Sequence, residues 1–215
     1  MYNWEDILIV GDSFCFERDD DHDWPFIVSN TLSGSSKNTR GEGFSGASWW
    51  SVRKCLLTNL EINTPKILII CHTEPFRIPN DDNYGLNFRS VEVETFPTDL
   101  QVAARKYYEN LMSNDFHEWA CLQWFKELDN IIEKHKIEKV IHFFCFGGAY
   151  SCYLFNNGVT IKNILYDISY NTPDQDTVKT FNHFTPDGNK TLAKNILNIL
   201  NDYPGNGIET CIQSF

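Results

Sequence analysis

Three short, unbroken apolar runs constrain this chain more than any other feature. Ile7-Leu8-Ile9-Val10 leads into Gly11-Asp12-Ser13. Ile67-Leu68-Ile69-Ile70-Cys71 follows Pro65, and Val140-Ile141-His142-Phe143-Phe144-Cys145-Phe146 ends at Gly147-Gly148. Successive side chains of a strand point to opposite faces, so a continuous apolar run describes a strand that is dry on both sides. Ile164-Leu165-Tyr166 makes a weaker fourth run.

Helical patterns fall between the runs. Residues 47–60 carry Trp49, Trp50, Val52, Leu56, Leu57 and Leu60 at three- and four-residue spacing, and residues 99–112 hold a second pattern. A third, over 115–136, places Phe116, Trp119, Leu122, Phe125, Leu128, Ile131 and Ile132 on one stripe. Thr185-Pro186-Asp187 punctuates the start of a last helix, with a capping hydroxyl, a proline that fits the first turn and an acid at the positive dipole end. Leu192, Ile196, Leu197 and Leu200 give that helix its buried face. Strands alternating with helices imply a parallel sheet covered on both sides, an α/β fold. No repeat and no Ser/Pro-rich linker divides the chain, so residues 1–215 read as one domain. Long loops are expected at about 77–98 and 147–180. Loops at strand C-termini are where open α/β sheets bind ligands.

Charge narrows the partners. A formal net charge of −11 repels phosphate backbones and anionic lipid, which excludes nucleic acid and membrane surfaces as expected partners. No apolar run approaches the roughly 18 residues of a membrane span. Met1-Tyr2-Asn3-Trp4-Glu5-Asp6 lacks the basic start and apolar core of a secretory signal, so the expected compartment is the cytoplasm. Seven cysteines without a C-x-x-C pair read as reduced structural thiols, Cys71 and Cys145 as small core hydrophobes. His72-Thr73-Glu74 matches half of a zinc-deaminase motif, but the P-C-x-x-C half is absent and no metal is expected. Gly41-Glu42-Gly43-Phe44-Ser45-Gly46 fits G-x-G-x-x-G without the strand that a dinucleotide site needs before it. Asp19-Asp20-Asp21-His22-Asp23 lacks EF-hand spacing and reads as solvated loop, with His22 close enough in sequence to lie near Ser13. His142 reads as a packed core imidazole. Trp49, Trp50, Trp119 and Trp124 read as core, with sugar stacking as the other use of such rings.

Ser13 follows the first strand directly, which puts it at the sheet edge facing the crevice. Gly-Asp-Ser is also an ordinary strand-to-loop turn, and a serine hydroxyl becomes a nucleophile only if a base reaches it. His183 precedes the well-capped last helix, where a loop can deliver it to the same edge. Gly43-Phe44-Ser45-Gly46-Ala47-Ser48 turns into a helix whose free N–H groups can face an anion.

Gly11-Asp12-Ser13 near the start, a lone glycine opening a helix, and His183 followed by Thr185-Pro186-Asp187-Gly188-Asn189 together resemble the SGNH (GDSL-type) hydrolases. The resemblance runs from Ile7 to Leu200 and is most specific in its first and last blocks. It implies a three-layer α/β/α sandwich with a five-stranded parallel sheet. It also implies cofactor-free hydrolysis of esters, commonly acyl groups on sugars or lipids. Ser13 would be the nucleophile, His183 the base, and the N–H groups of Ser13 and Gly46 the oxyanion hole. Proteins of this look also occur in tailed bacteriophages, where a virion component is the alternative to an enzyme.

Two departures from the family pattern stand out. Glu74 occupies the position of the family's third-block Asn, and an ionised carboxylate repels an oxyanion where the amide would donate to it. Thr180 stands where the family has an acid three residues before the histidine. The gap leaves three readings open: Glu74 supplies the missing carboxylate, a Ser13–His183 dyad works alone with Thr73 or another donor at the oxyanion, or catalysis is lost and the crevice binds. Arg77 lies on the same side of the sheet and is expected either to hold an anionic substrate group or to sit idle on the surface.

Overall fold

The computed structural model describes residues 2–16, 23–37, 39–44, 46–79, 85–86, 98–170 and 184–212. The three apolar runs form the centre of a parallel sheet: β1 (Ile7–Asp12), β3 (Ile67–His72) and β6 (Lys139–Phe144). Outside them lie β2 (Gly43–Phe44), β7 (Val159–Ile161) and β8 (Ile208–Thr210), in the order β2-β1-β3-β6-β7-β8. Among the described residues the sheet thus has six strands, not five. The outer three are only two or three residues long, too short to leave an apolar run.

The weak fourth run is not a strand. Leu165 instead opens α5 (Leu165–Tyr170), and the strand beside β6 is Val159–Ile161, inside the stretch expected to be loop. Thr160 interrupts its apolar character. Gly158 before it lies at φ +107°, where a Cβ would stand 2.8 Å from Val140 Cβ and 2.9 Å from His142 Nε2.

Alternation builds two cores. Ile7, Ile9, Ile67, Ile69, Cys71, Ile141 and Phe143 face α1 (Trp24–Ser33) and α6 (Pro186–Asn201). Leu8, Val10, Leu68, Ile70, Val140 and Phe144 face α2 (Trp49–Ile62) and α4 (Asn114–His135). A third helix, α3 (Thr98–Asn110), packs with Ile78 and Leu86 of the small antiparallel pair β4 (Ile78–Pro79) and β5 (Gly85–Leu86). As the sequence suggests, Thr185 caps α6 by accepting from the Gly188 N–H. The helix α1 left no clear stripe: it is ten residues long and buries only Trp24, Pro25, Val28 and Ser29.

The α4 stripe is displaced from the expected one. Its buried face is His117, Cys121, Trp124, Phe125, Leu128, Asp129 and Ile132, whereas Phe116 and Trp119 are more than half exposed and stack on each other. Polar residues account for the shift. Asp129 turns inward to accept from the backbone N–H groups of Asn156 and Asn157 and from Tyr153 Oη, and His117 turns inward to the Pro75 carbonyl. Among the described residues no helix is long and apolar enough to cross a membrane. All seven cysteines carry free thiols.

Two buried imidazoles share the α2/α4 core. His142 Nε2 donates to the Asn157 carbonyl at 2.8 Å, which leaves its Nδ1 to accept from His72 Nε2 at 3.1 Å. Phe155 stacks on His142 with ring centroids 3.7 Å apart. Burial holds His142 down to about 3, and burial together with the neighbouring His142 holds His72 well below its ordinary value.

Two outcomes follow for stability. Gly11 sits at φ +154°, and a Cβ there would lie 2.3 Å from the Cys71 carbonyl oxygen. Gly11→Ala should therefore cost about 3 kcal/mol or more in urea unfolding, and a loss under 1 kcal/mol would contradict the close approach. Between pH 6.5 and about 4 the unfolded chain binds a proton at His142 while the folded chain does not, and the lowered His72 acts in the same direction, so stability falls as the pH falls. Each imidazole adds a slope of up to about 1.4 kcal/mol per pH unit, and His142→Gln should flatten unfolding free energy against pH in that window.

Candidate active site

The strand order places a topological switch between β1 and β3: the chain leaves β1 for β2 on one side and returns to β3 on the other. Open α/β sheets bind ligands at such points, beyond the strand C-termini. Ser13 stands at the end of β1 as the first residue of a 3-10 turn, Ser13–Cys15. Thr73 and Glu74 follow β3, and Gly46 lies in the turn between β2 and α2, at φ +69°. Ser13, Gly46, Thr73, Glu74 and Arg77 therefore come from neighbouring strand ends at one edge.

The centre of this edge is an ion pair. Asp12 is fully buried. Its Oδ2 accepts from Arg77 NH1 at 2.5 Å, and its Oδ1 accepts from both the Ser13 N–H (2.5 Å) and the Ser13 Oγ–H (2.7 Å). Arg77 NH1 also donates to the Ala47 carbonyl at 3.1 Å, while Nε donates to Glu74 Oε1 at 2.9 Å. The guanidinium lies over the Phe146 ring, 5.1 Å from its centroid. Burial works against the charge on Arg77, but the carboxylates of Asp12 and Glu74 outweigh it, and its pKa is raised.

Arg77 is thus neither an idle surface cation nor an open anion anchor: it is buried, and two carboxylates of this chain already face it. Glu74 presents one oxygen to Arg77, which offsets the charge that would repel an oxyanion. The carboxylate on the Ser13 hydroxyl is Asp12.

Two helices fix the loop that carries Glu74 and Arg77. His117 Nδ1 donates to the Pro75 carbonyl (3.2 Å), and Tyr107 Oη donates to the other ring nitrogen (2.7 Å). Tyr108 Oη bridges the carbonyls of Phe76 and Leu86. Below the site lie buried thiols. Burial raises Cys71 well above its ordinary value and pushes Cys145 up to about 11, so both are protonated and inert near neutrality.

His183, Thr180, His22 and Ser45 lie outside the described residues, as do Asp19, Asp20 and Asp21. Phe184, which follows His183 in the chain, packs edge-on against Phe14, which follows Ser13, with ring centroids 6.2 Å apart. The G-x-G-x-x-G match contains β2 within it, and among the described residues no strand leads directly into it, whereas a dinucleotide site has one there. His72 of the zinc half-motif points into the α2/α4 core towards His142, away from Glu74's pairing with Arg77. No protein-family model, no curated protein and no solved structure matches this chain.

Asp12 escaped the sequence reading, although a signal was present. A charged residue ending a doubly buried strand needs a partner, and Arg77 is the cation closest along the chain to the end of the neighbouring strand β3. Arg77→Met should destabilise the fold by about 3–5 kcal/mol, because it strands the Asp12 charge. Adding Asp12→Asn to that variant should recover part of the loss in urea unfolding. Additive losses would show that the pair is not coupled.

Proposed function

We propose that this protein is a serine ester hydrolase of the SGNH type, acting on an acylated small molecule or carbohydrate. The observation that carries the reading is the site of Ser13: the end of β1, at the switch between β1 and β3. The contact of Phe184 with Phe14 supports a path of the chain that brings His183 to that edge.

In this reading the Ser13 hydroxyl turns from Asp12 towards His183. Its oxygen attacks the ester carbonyl carbon, and His183 takes the proton. The tetrahedral intermediate collapses, the alkoxide leaves with that proton as an alcohol, and the acyl group stays on Ser13. Water then attacks the acyl-enzyme through the same histidine, releasing the acid and restoring the serine. The Gly46 N–H is one oxyanion donor. No cofactor enters these steps.

A second reading has its own observation. Both the N–H and the hydroxyl of Ser13 rest on Asp12, as they would in a fold that keeps the crevice for binding or serves as a structural module, for example in a virion.

A fluorophosphonate probe separates the two. A hydrolase should be labelled at Ser13, not at all in Ser13→Ala, and at least about 10³-fold more slowly in His183→Ala. Folded wild-type protein that resists the probe would favour the binding module.

A further inference from the structure

Ser13 cannot serve as its own oxyanion donor in this arrangement. Its N–H points at Asp12 Oδ1 at 2.5 Å, and Arg77 pins that carboxylate from the other side at 2.5 Å. Glu74 is an acceptor, and the Nε and NH1 of Arg77 are held by Glu74, Asp12 and Ala47. The Gly46 N–H remains the backbone donor of the proposed site, and a side-chain hydroxyl at the same edge can add a second.

Thr73 is 1% exposed, and its Oγ1 has no hydrogen-bond partner among the described residues. A buried hydroxyl without a partner destabilises a fold, and native structures hold few of them. Its position accounts for it. β1 and β3 pair in register from Ile7↔Ile67 to Gly11↔Cys71, and Ser13 and Thr73 are each the first residue past the end of their strand. Among the described residues Ser29 Oγ and Thr160 Oγ1 also lack a partner, but Ser29 sits in α1 and Thr160 in the middle of β7, paired with His142, away from the sheet edge.

We infer that the Thr73 hydroxyl is the side-chain donor to the developing oxyanion, left unpartnered in the resting protein because its partner is the reacting oxygen. The inference rests on the ester-hydrolase reading and adds a catalytic residue to it. It also accounts for a carboxylate at position 74: the donor stands one residue earlier, and Glu74 orients Arg77. A hydroxyl is satisfied by a tetrahedral oxyanion and idle beforehand, which is the differential interaction that accelerates the chemical step.

The test measures turnover of an activated acetyl ester and thermal unfolding for wild type, Ser13→Ala, Thr73→Val, Thr73→Ser and Thr160→Val. Thr73→Val keeps the shape and removes the hydroxyl. It should lower kcat by about 10²-fold with KM little changed, while melting at or above the wild-type temperature. Thr73→Ser should stay within about tenfold of wild type. Thr160→Val should also hold or raise the melting temperature, with no change in rate. Wild-type turnover in Thr73→Val would overturn the inference and leave a Ser13-dependent hydrolase standing. A slow, less stable Thr73→Val that serine does not rescue would show a packing role and overturn it too. Turnover that survives Ser13→Ala, or none in wild type, would remove the hydrolase reading and the inference with it.

Discussion

A carboxylate at the end of a doubly buried strand sets the terms for the whole sheet edge. Asp12 cannot keep its charge inside the fold without a cation and hydrogen-bond donors on its remaining lone pairs. Arg77 supplies the cation, Ser13 supplies two donors, and every neighbouring element serves that arrangement. The loop after β3 must bend back far enough to bring Arg77 to Asp12, with Glu74 on the guanidinium's other edge. Pro75 and Phe76 hold the bend because α4 and α3 bind their carbonyls through His117 and Tyr108. Remove the carboxylate and that geometry loses its reason.

The same interaction gives this sheet edge its electrical character. Asp12 and Glu74 against Arg77 leave the described cluster with one net negative charge. In the proposed hydrolase that charge would disfavour anionic substrates and suit neutral or hydroxyl-rich ones. The interaction also holds both donors of Ser13 on one carboxylate, so in the proposed hydrolase the hydroxyl would have to exchange one partner for another before reacting. Stability and the proposed reactivity would then draw on the same atoms.

The central strands were legible because a strand buried on both faces has to be apolar throughout, and Ile7–Val10 and Ile67–Cys71 are. The caps of α6 were legible because Thr185-Pro186 satisfies the orphan N–H groups locally. What escaped depends on distant partners. Val159–Ile161 is a strand only because Gly158 lets it close on Val140 and His142. The face of α4 is set by Asp129 and His117, two polar residues turned inward by loops far along the chain. At the site, Ser13 and Arg77 were readable from their place after strands, while Gly46, Thr73 and Glu74 came from the resemblance to the SGNH pattern. The link from Arg77 to Ser13 through Asp12 was not, since nothing local couples positions 12 and 77.

A second arginine shows a different use of the same side chain. Arg40 is buried, and its guanidinium donates to three carbonyls: Glu5 before β1, and Asn59 and Asn63 at the end of α2. One residue in the segment leading to β2 therefore ties the entrance of the first strand to the exit of the second long helix. β1, α1, β2 and α2 are gathered inside that clasp. A backbone cut between α1 and Arg40 would leave two fragments still joined by it, by the β1–β2 pairing and by the packing of α1 on α6. The chain is therefore suited to being supplied as two pieces that reassemble, with the break on the side of the sheet remote from Glu74 and Arg77.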